Sequence, residues 1–294
     1  MKLKLIQIVR VALMAGALPN LSGSLPAAES ERHEHKELPA QSGGTLTFKS
    51  CVGGIEVRAH AGATVAYDAV VKPFNGHDDS HSARLIDLLE FDYANVGGDV
   101  MITLKWKDDR QPNNVNLNAH HTLLIPSHYN IDVRTSGGGI HAEDIGGRVT
   151  ARTSGGGIRL GNIEGTVDAQ TSGGGIALET VHGDARIKTS GGGIKVGMVT
   201  GELEGSTSGG SIEASLSNQI QKPLVLKTSG GSIRLTVPAD FKGDLHASTS
   251  GGRVKCGLPL QGSFNDQSVS AKINGGGPEV TLRTSGGNID VAQR

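Results

Sequence analysis

The sequence predicts an all-β protein, a parallel β-solenoid of the single-stranded β-helix type that follows a small N-terminal β-rich region. Three observations predict this fold. The chain has 44 glycines among 294 residues, well above the usual fraction of about 7%. The tetrapeptide Thr-Ser-Gly-Gly occurs eight times at a near-fixed period. Between its copies, apolar and polar residues alternate with the period of two that is typical of strands with one buried face.

The N-terminus has the three parts of an export signal. Lys2 and Lys4 give a positive start, residues 11–18 are apolar, and Pro26-Ala27-Ala28 offers small residues at a cleavage site. The pattern predicts a signal peptide over residues 1–28 and export to the periplasm or the cell surface. No later segment contains the 18 or more apolar residues of a membrane span, so no span is predicted.

Residues 29–130 divide into two predicted parts. Residues 29–40 are charged, contain two histidines and end in Pro-Ala, which is typical of a flexible linker. Residues 41–130 alternate apolar and polar side chains between glycine-rich breaks. They predict an N-terminal β-rich region with strands at 45–48, 55–57, 65–67 and 100–106. Residues 83–90 form the helical pattern of this region.

Residues 131–294 form the repeat region. The Thr-Ser-Gly-Gly copies begin at Thr135, Thr153, Thr171, Thr189, Thr207, Thr228, Thr249 and Thr284. Isoleucines follow the glycines in register, at Ile140, Ile158, Ile176, Ile194, Ile212 and Ile233, and Val254 and Ile289 continue the column. A period of about 20 residues is the signature of a repeat architecture. We expect one coil per repeat, stacked about 4.8 Å apart, so that like residues form ladders.

Each Thr-Ser-Gly-Gly segment is predicted to form a corner of the solenoid. We expect its glycines to supply positive φ angles, and its threonine to hydrogen-bond along the stack. A phosphate-binding loop is the alternative for a glycine-rich segment. That loop needs Gly-Lys-Ser/Thr at the start of a helix, a pattern that follows none of these copies.

These motifs together resemble a known family. Leu124-Ile125-Pro126 precedes the first coil, the unit Thr-Ser-Gly-Gly-x-Ile recurs, and residues 43–62 read GGTLTFKSCVGGIEVRAHAG. Over residues 41–294 the chain resembles the bacterial β-strand-repeat proteins of unknown function that are labelled putative adhesins. The resemblance implies a β-solenoid with an N-terminal β-rich region, exported or associated with the envelope. It brings no catalytic residues to this sequence.

Charge and cysteine content limit the partners. Lys and Arg total 28 and Asp and Glu total 29, a formal net charge of -1, so no broad attraction to nucleic acid is expected. The expected partner is an unidentified envelope or surface component, either protein or glycan. Cys51 and Cys256 are far apart in sequence, and we expect two unpaired, partly buried thiols. A disulfide between them in an oxidising compartment is the alternative.

Several histidines are candidate metal ligands. His77, Asp78, Asp79 and His81 lie within five residues, His120, His121 and His128 follow later, and His33 and His35 lie in the predicted linker. Imidazole and carboxylate groups bind Zn²⁺ or Cu²⁺. Their spacing matches no known ligand pattern, so we predict solvated polar loops, with no metal site and no cofactor.

Scattered acids in the coils raise the alternative of a carbohydrate-active β-helix enzyme. They are Glu143, Asp144, Glu164, Asp168, Glu179 and Asp184. Asp168 and Glu164 are expected to approach Asp184 and Asp144 on neighbouring coils, as paired catalytic carboxylates would. Basic residues are interspersed, however, and no Tyr or Trp follows Tyr129 to line a sugar-binding groove. We therefore predict no catalytic residues and no enzyme activity.

The expected function is a non-catalytic structural or adhesin-like interaction module of the bacterial cell envelope. The alternatives are the carbohydrate-active enzyme and a self-assembling scaffold. Self-association is expected to use the C-terminal end, because a final coil at residues 289–291 would leave an open strand edge. Residues 257–265, with Leu258, Leu260 and Phe264, are the segment available to cover that end.

Overall fold

A computed structural model describes residues 31–74, 80–109, 112–113 and 115–294. The predicted signal peptide, and also His77, Asp78 and Asp79, lie outside these residues. The described chain is almost entirely β, which confirms the predicted fold class. No helix among the described residues is long and apolar enough to cross a membrane.

Within the described residues, the N-terminal part contains seven strands, one α-helix and a short 3₁₀ turn at Lys107–Asp109. These elements are β1 (Arg32–Pro39), β2 (Thr45–Ser50), β3 (Gly54–His60), β4 (Thr64–Pro73), α1 (Ser80–Asp87), β5 (Leu89–Val96), β6 (Asp99–Trp106) and β7 (Leu117–Pro126). The predicted helix at 83–90 therefore begins and ends earlier than expected. Leu89 is 1% exposed and pairs with Trp106, so burial in the sheet ends the helix before it.

The repeat region contains the remaining strands. They are β8 (Asn130–Thr135), β9 (Ile140–Glu143), β10 (Val149–Thr153), β11 (Ile158–Ile163), β12 (Val167–Thr171), β13 (Ile176–Val181), β14 (Ala185–Lys188), β15 (Ile194–Val199), β16 (Leu203–Thr207), β17 (Ile212–Ser215), β18 (Leu224–Thr228), β19 (Ile233–Val237), β20 (Gly243–Thr249), β21 (Val254–Cys256), β22 (Leu260–Phe264), β23 (Ser268–Ile273), β24 (Glu279–Thr284) and β25 (Ile289–Gln293).

The strands form two long sheets, and each coil adds one strand to each sheet. Sheet A has the order β1-β4-β7-β3-β9-β11-β13-β15-β17-β19-β25-β21, and sheet B has the order β22-β23-β20-β24-β18-β16-β14-β12-β10-β8-β2-β6-β5. Neighbouring coils pair in parallel and in register, so that Ile158 lies beside both Ile140 and Ile176. The predicted isoleucine column is buried, and the inward side chains of both sheets form one continuous core.

The predicted linker at 29–40 is wrong for most of its length. Residues 32–39 form β1, which pairs antiparallel with β4 from Arg32 opposite Val71 to Pro39 opposite Thr64. Along β1 every second side chain is half-buried, and Leu38 packs against the core. Charged residues that alternate in this way are typical of an edge strand, where charges discourage pairing with another molecule.

The N-terminal region at 41–130 belongs to the same stack as the repeats. β2 pairs with β8 on one side and with β6 on the other, and β3 pairs in the same way with β9 and β7. The coil built from β2 and β3 is therefore inserted between the first repeat and the coil built from β6 and β7. The antiparallel strands β4, β1 and β5 then complete this end of the two sheets.

At the C-terminal end, too, one coil is inserted between two others. The prediction of an open strand edge at residues 289–291 is therefore wrong. β24 lies between β18 and β20, and β25 lies between β19 and β21. The last coil in sequence is thus internal to the stack. Its corner matches those of both neighbours, since the Thr284 hydroxyl donates to the Gly231 carbonyl and the Thr249 hydroxyl donates to the Gly287 carbonyl, each at 2.7 Å.

Residues 257–265 cover the real end of the stack only in part. Leu258 is buried and Leu260 packs half-buried against the core, while Phe264 is 64% exposed. β22 and β23 continue sheet B as antiparallel strands and do not close over the core. Sheet A ends at the three-residue β21, so this end carries added strands on one sheet only.

The corner threonines hydrogen-bond along the stack, as predicted. Each is buried, and its hydroxyl donates to a glycine carbonyl of the neighbouring corner at 2.7–2.8 Å. The expected positive φ angles are wrong, because none of the corner glycines adopts one. Close approach explains the second glycine instead. A Cβ on Gly174 would lie 2.4 Å from the backbone of Gly156.

Both cysteines are free and half-buried, which confirms the expected unpaired thiols. Cys51 follows β2 near the N-terminal end, and Cys256 lies in β21 at the other end of sheet A. Burial raises the pKa of Cys51 to about 11 and also raises the pKa of Cys256. Both thiols are therefore protonated and unreactive near neutral pH.

Candidate functional site

A shallow groove of about 760 Å³ runs along sheet A beside the corners, across the strand direction. We call it the corner groove. It crosses six coils from Glu56 to Glu213, and His120 on β7, one strand beyond Glu56, also lines it. With neighbouring strands about 4.8 Å apart, these six coils span roughly 24 Å. The groove is therefore long and open, with the shape of a site for an extended molecule.

The floor of the corner groove is a run of glycines at the residue before each isoleucine. They are Gly54, Gly139, Gly157, Gly175 and Gly193. In the later coils this position carries Ser211, Ser232, Arg253 and Asn288. Ser211 forms the last step of the groove, and the three that follow do not line it. The groove exists because five successive coils lack a side chain at this position.

Backbone hydrogen bonds between coils occupy the carbonyl groups of the floor glycines. Ile140 N donates to Gly157 O and Ile158 N donates to Gly175 O, each at 2.9 Å, and the neighbouring coils repeat the bond. A partner strand adds to a sheet through unpaired backbone groups at an edge, and this floor offers no such edge. It presents a smooth glycine surface instead.

Charged side chains form one wall of the corner groove. Arg159 and Lys195 are exposed and make no ion pair with any described residue, and Ala177 lies between them. The other charges are partly paired. His141 Nε2 lies 2.8 Å from Glu143 Oε1, and Glu56 lies 2.6 Å from Arg58. The centre of the groove is therefore positive, and its two free cations are two coils apart.

The predicted acids meet only in part. Asp168 and Asp184 line one shallow depression of about 340 Å³ on sheet B, together with Glu202 and Glu204. Glu164 and Asp144 do not line it, and they lie on neighbouring coils elsewhere, where Glu164 N donates to Ile145 O at 2.9 Å. They lie just after strands of sheet A, because Asp144 follows β9 and Glu164 follows β11.

The acids of this depression are held by cations. Arg152 donates to Asp168 at 2.7 Å, and Lys222 donates to Asp184 at 2.8 Å. The Lys222 ammonium, together with the backbone N–H of Glu202, holds the pKa of Asp184 below its ordinary value. A general acid must carry a proton at the working pH. Asp184 is therefore unsuited to that role.

The described histidine candidates do not converge on one site. His33 and His35 lie on β1, where His35 Nδ1 is 2.6 Å from Asp68, and this contact raises the pKa of His35. His120 faces Glu56 at 3.5 Å, and His128 is exposed. Among the described residues, no group of three or more His, Cys, Asp or Glu side chains is placed to hold a metal.

His121 is fully buried and belongs to a hydrogen-bond network. Its Nε2 lies 3.0 Å from the Ser50 hydroxyl and 2.9 Å from the Val52 carbonyl, and its Nδ1 lies 3.0 Å from the Tyr67 hydroxyl. Burial lowers the pKa of His121 to about 4. The imidazole is therefore neutral near pH 7 and links β2, β4 and β7.

The family of the protein follows from its sequence pattern. The Toastrack DUF4097 family matches residues 90–292, about two thirds of the chain. The chain belongs to this family. The match confirms the predicted resemblance to a bacterial family of unknown function, and the stacked two-strand coils are its toastrack β-solenoid. Residues 31–89, which include β1 to β4, lie before the matched segment.

Solved structures of similar topology share little sequence with this toastrack protein. A putative adhesin from Bacteroides fragilis is 11% identical, with a TM-score of 0.43 over 90% of this chain and 97% of its own. A putative cell adhesion protein from Clostridium sporogenes is 11% identical, with a TM-score of 0.31 over 90% and 100%. A putative lipid binding protein from Parabacteroides distasonis is 13% identical, with a TM-score of 0.35 over 88% and 96%. Comparison with curated proteins gave no match.

Sequence reasoning missed the corner groove, although its signal was in the repeats. The first four corners read Thr-Ser-Gly-Gly-Gly, and the later ones end in Ser, Arg or Asn. This change marks the extent of the floor. Only the paired strands show that those glycines stand side by side under one surface.

Proposed function

We propose that this toastrack protein is a non-catalytic, adhesin-like module of the bacterial cell envelope that binds an extended glycan along the corner groove. The observation that carries the proposal is the continuous glycine floor, which spans roughly 19 Å of stacked coils. A smooth floor suits the flat face of a sugar chain. The exposed Arg159 and Lys195 supply hydrogen-bond donors to its hydroxyl or acidic groups.

A glycan fits the groove better than a peptide does. Peptides that bind sheets usually add a strand at an edge, where backbone groups are unpaired. The floor of the groove lies inside sheet A, and its glycine carbonyls already accept hydrogen bonds from the isoleucine N–H groups of the neighbouring coil. A protein partner is therefore an alternative result of the binding experiment below.

Non-catalytic action is part of the proposal. The acids nearest to a catalytic pair, Asp168 and Asp184, each bond to a cation. We expect no product release when the protein is incubated with a panel of polysaccharides, with and without Ca²⁺. Reproducible release that disappears in Asp168→Asn would favour the carbohydrate-active enzyme instead.

Export is also part of the proposal. It is supported by Lys2, Lys4, the apolar residues 11–18 and the small residues before Glu29. Cleavage after Ala28 would leave every described residue in the mature chain. N-terminal sequencing of the protein from its host should find Glu29 first. Full-length protein in the cytoplasm would contradict export.

The groove is tested with a variant that fills its floor. Gly139→Asn combined with Gly157→Asn places two side chains in the groove. Asn288 occupies the same position in a later coil, so the corner tolerates this residue. The mature chain should bind members of an array of bacterial cell-surface glycans, and the filled variant should bind them on the order of tenfold more weakly.

The matched control is Ser232→Asn, at the equivalent corner position outside the groove. It should bind like the unmodified protein. Circular dichroism melts should show that all three proteins are folded. Equal binding by the filled variant would contradict the groove as the site. A chain that retains no glycan and captures a protein from envelope extracts would replace the glycan by a protein partner.

A further inference from the structure

Sheet B carries a second ordered surface, on the other side of the same corners. The outward residue just before each corner threonine forms a single column, and strand pairing places its members side by side. The column reads Lys49, Arg134, Arg152, Gln170, Lys188, Ser206, Lys227, Arg283 and Ser248. Six of its nine positions are cationic and none is acidic. We call these six residues the cation ladder.

The spacing of the cation ladder follows from the stack. Eight coils about 4.8 Å apart place Lys49 and Arg283 roughly 34 Å from each other. Successive cations are one or two coils apart, so neighbouring charges are about 5 or 10 Å apart. Like charges at this distance repel one another. A linear array of opposite charges along the column would relieve that repulsion.

Most of the ladder is free to bind. Lys49, Lys188, Lys227 and Arg283 are exposed and make no ion pair with a described residue. Arg134 pairs with Asp132 at 2.9 Å and Arg152 pairs with Asp168 at 2.7 Å, both in the adjacent column. Four uncompensated positive charges therefore remain in one line.

The corner beside the ladder adds small hydrogen-bonding groups. Two residues after each column position that follows Lys49 comes an exposed serine, at positions 136, 154, 172, 190, 208, 229, 250 and 285. Serine hydroxyls donate to carboxylate and sulfate oxygens as well as to sugar hydroxyls. A polymer that lies on the ladder would thus meet a row of hydroxyls along its side.

We propose that the cation ladder is a binding surface for a linear polyanionic glycan, one that carries carboxylate or sulfate groups along its length. The regular row of cations complements a regular row of anions. Proteins that bind single-stranded nucleic acid add aromatic side chains on which bases stack. No aromatic residue belongs to the ladder or to its serine column, which favours a glycan over nucleic acid.

The experiment measures binding of the mature chain to dextran sulfate and to polygalacturonate, with neutral dextran as the reference polymer. The test variant is Lys188→Gln, Lys227→Gln and Arg283→Gln combined. Gln170 stands naturally in the same column, so the fold accepts this side chain. The matched control is Lys72→Gln, Lys242→Gln and Lys255→Gln, which removes the same charge away from the ladder.

The unmodified protein should bind both polyanions and not neutral dextran, and binding should weaken as salt increases. The affinity of the test variant should be lower by on the order of tenfold or more. The magnitude of the slope of log affinity against log salt should decrease by about 2 to 3. The control should bind like the unmodified protein. The groove-filled variant Gly139→Asn/Gly157→Asn should also retain binding, which separates this surface from the corner groove.

Four results would overturn the proposal. They are no binding to either polyanion at low salt, an equal loss in the control, tighter binding to DNA of the same charge, and binding confined to vesicles of anionic lipid. Sedimentation supplies one further check. If the unmodified protein is a dimer and the test variant a monomer, the ladder is a contact between two copies and not a glycan site.

Discussion

The middle coils and the N-terminal end of the stack are stabilised in different ways. In residues 131–215 each coil repeats its neighbour, and the core consists of aliphatic side chains that stack on similar ones. The N-terminal end has a core of unlike side chains, with Phe48, Tyr67 and His121 in mutual contact. A repeated core is compatible with several registers, whereas the hydrogen bonds of His121 can form in one arrangement only. The comparison suggests that the end sets the register that the middle coils continue.

A single corner position shows the same contrast. Ser50 occupies the register position of the corner threonine and lies beside Thr135. Thr135 donates to a glycine carbonyl, as its equivalents do. The Ser50 hydroxyl lies against Val52 and His121 instead. The same register position therefore forms the repeated bond to a glycine carbonyl in the middle coils and takes part in the His121 network at the N-terminal end.

The largest effect is expected from a charge in the repeated core. Ile176 is 2% exposed and lies between Ile158 and Ile194. Ile176→Asp would bury an unpaired carboxylate, so we expect a loss of about 4 kcal/mol or more in the free energy of unfolding. Urea unfolding followed by circular dichroism measures it. The adjacent outward variant, Ala177→Asp, should stay within about 0.5 kcal/mol of the unmodified protein.

This variant also tests whether the two regions unfold independently. Each coil contacts mainly its neighbours, so damage should remain local. Trp106, the single tryptophan of the chain, is buried at the N-terminal end. Its fluorescence should keep the signature of a buried indole while the β signal decreases. Simultaneous loss of both signals would mean that the two regions unfold as one unit.

The next effect is a pH dependence confined to the N-terminal end. The pKa of His121 is about 4 in the folded chain and about 6.5 in an unfolded one. Between these values the unfolded chain binds more protons, so stability falls as the pH is lowered from about 6.5 to about 4. The loss from this group is roughly 3 kcal/mol. Urea unfolding at several pH values, followed by Trp106 fluorescence, measures it.

Carboxylates titrate in the lower part of the same range, so the measurement needs paired variants. His121→Gln lacks the imidazole and should lose much less stability between pH 6.5 and pH 4. His120→Gln, at the exposed neighbouring position, should behave like the unmodified protein. An unchanged pH profile in His121→Gln would show that the network does not have the expected role.

The smallest effect is expected from one step of the threonine ladder. Thr171→Val keeps the shape of the side chain and removes the hydrogen bond to Gly156 O. The expected loss is about 1 kcal/mol. Ser172→Ala, which changes the exposed hydroxyl next to it, should have almost no effect. Ser50→Ala should cost more than Thr171→Val, because it also removes a partner of the buried His121. Equal losses would contradict the contrast between the two regions.

Much of the fold could be predicted because its evidence is local. The alternation around Ile158 and the recurrence of Thr153 and Thr171 identify strands, coils and register from neighbouring residues alone. The role of the corner glycines was less accessible. Their number suggested positive φ angles, but the reason for the second glycine is contact with the coil beside it, which no single repeat reveals.

By itself, the sequence determined the coil, its period and its inward columns, since these depend on periodicity within a few residues. The tertiary structure decided the order of coils at both ends, the pairing of β1, the burial of His121, and the surfaces formed by the corner groove and the cation ladder. Each of these depends on which strand edges meet across long sequence separations. Strands of similar pattern can pair in many orders, and only packing of the whole stack selects one.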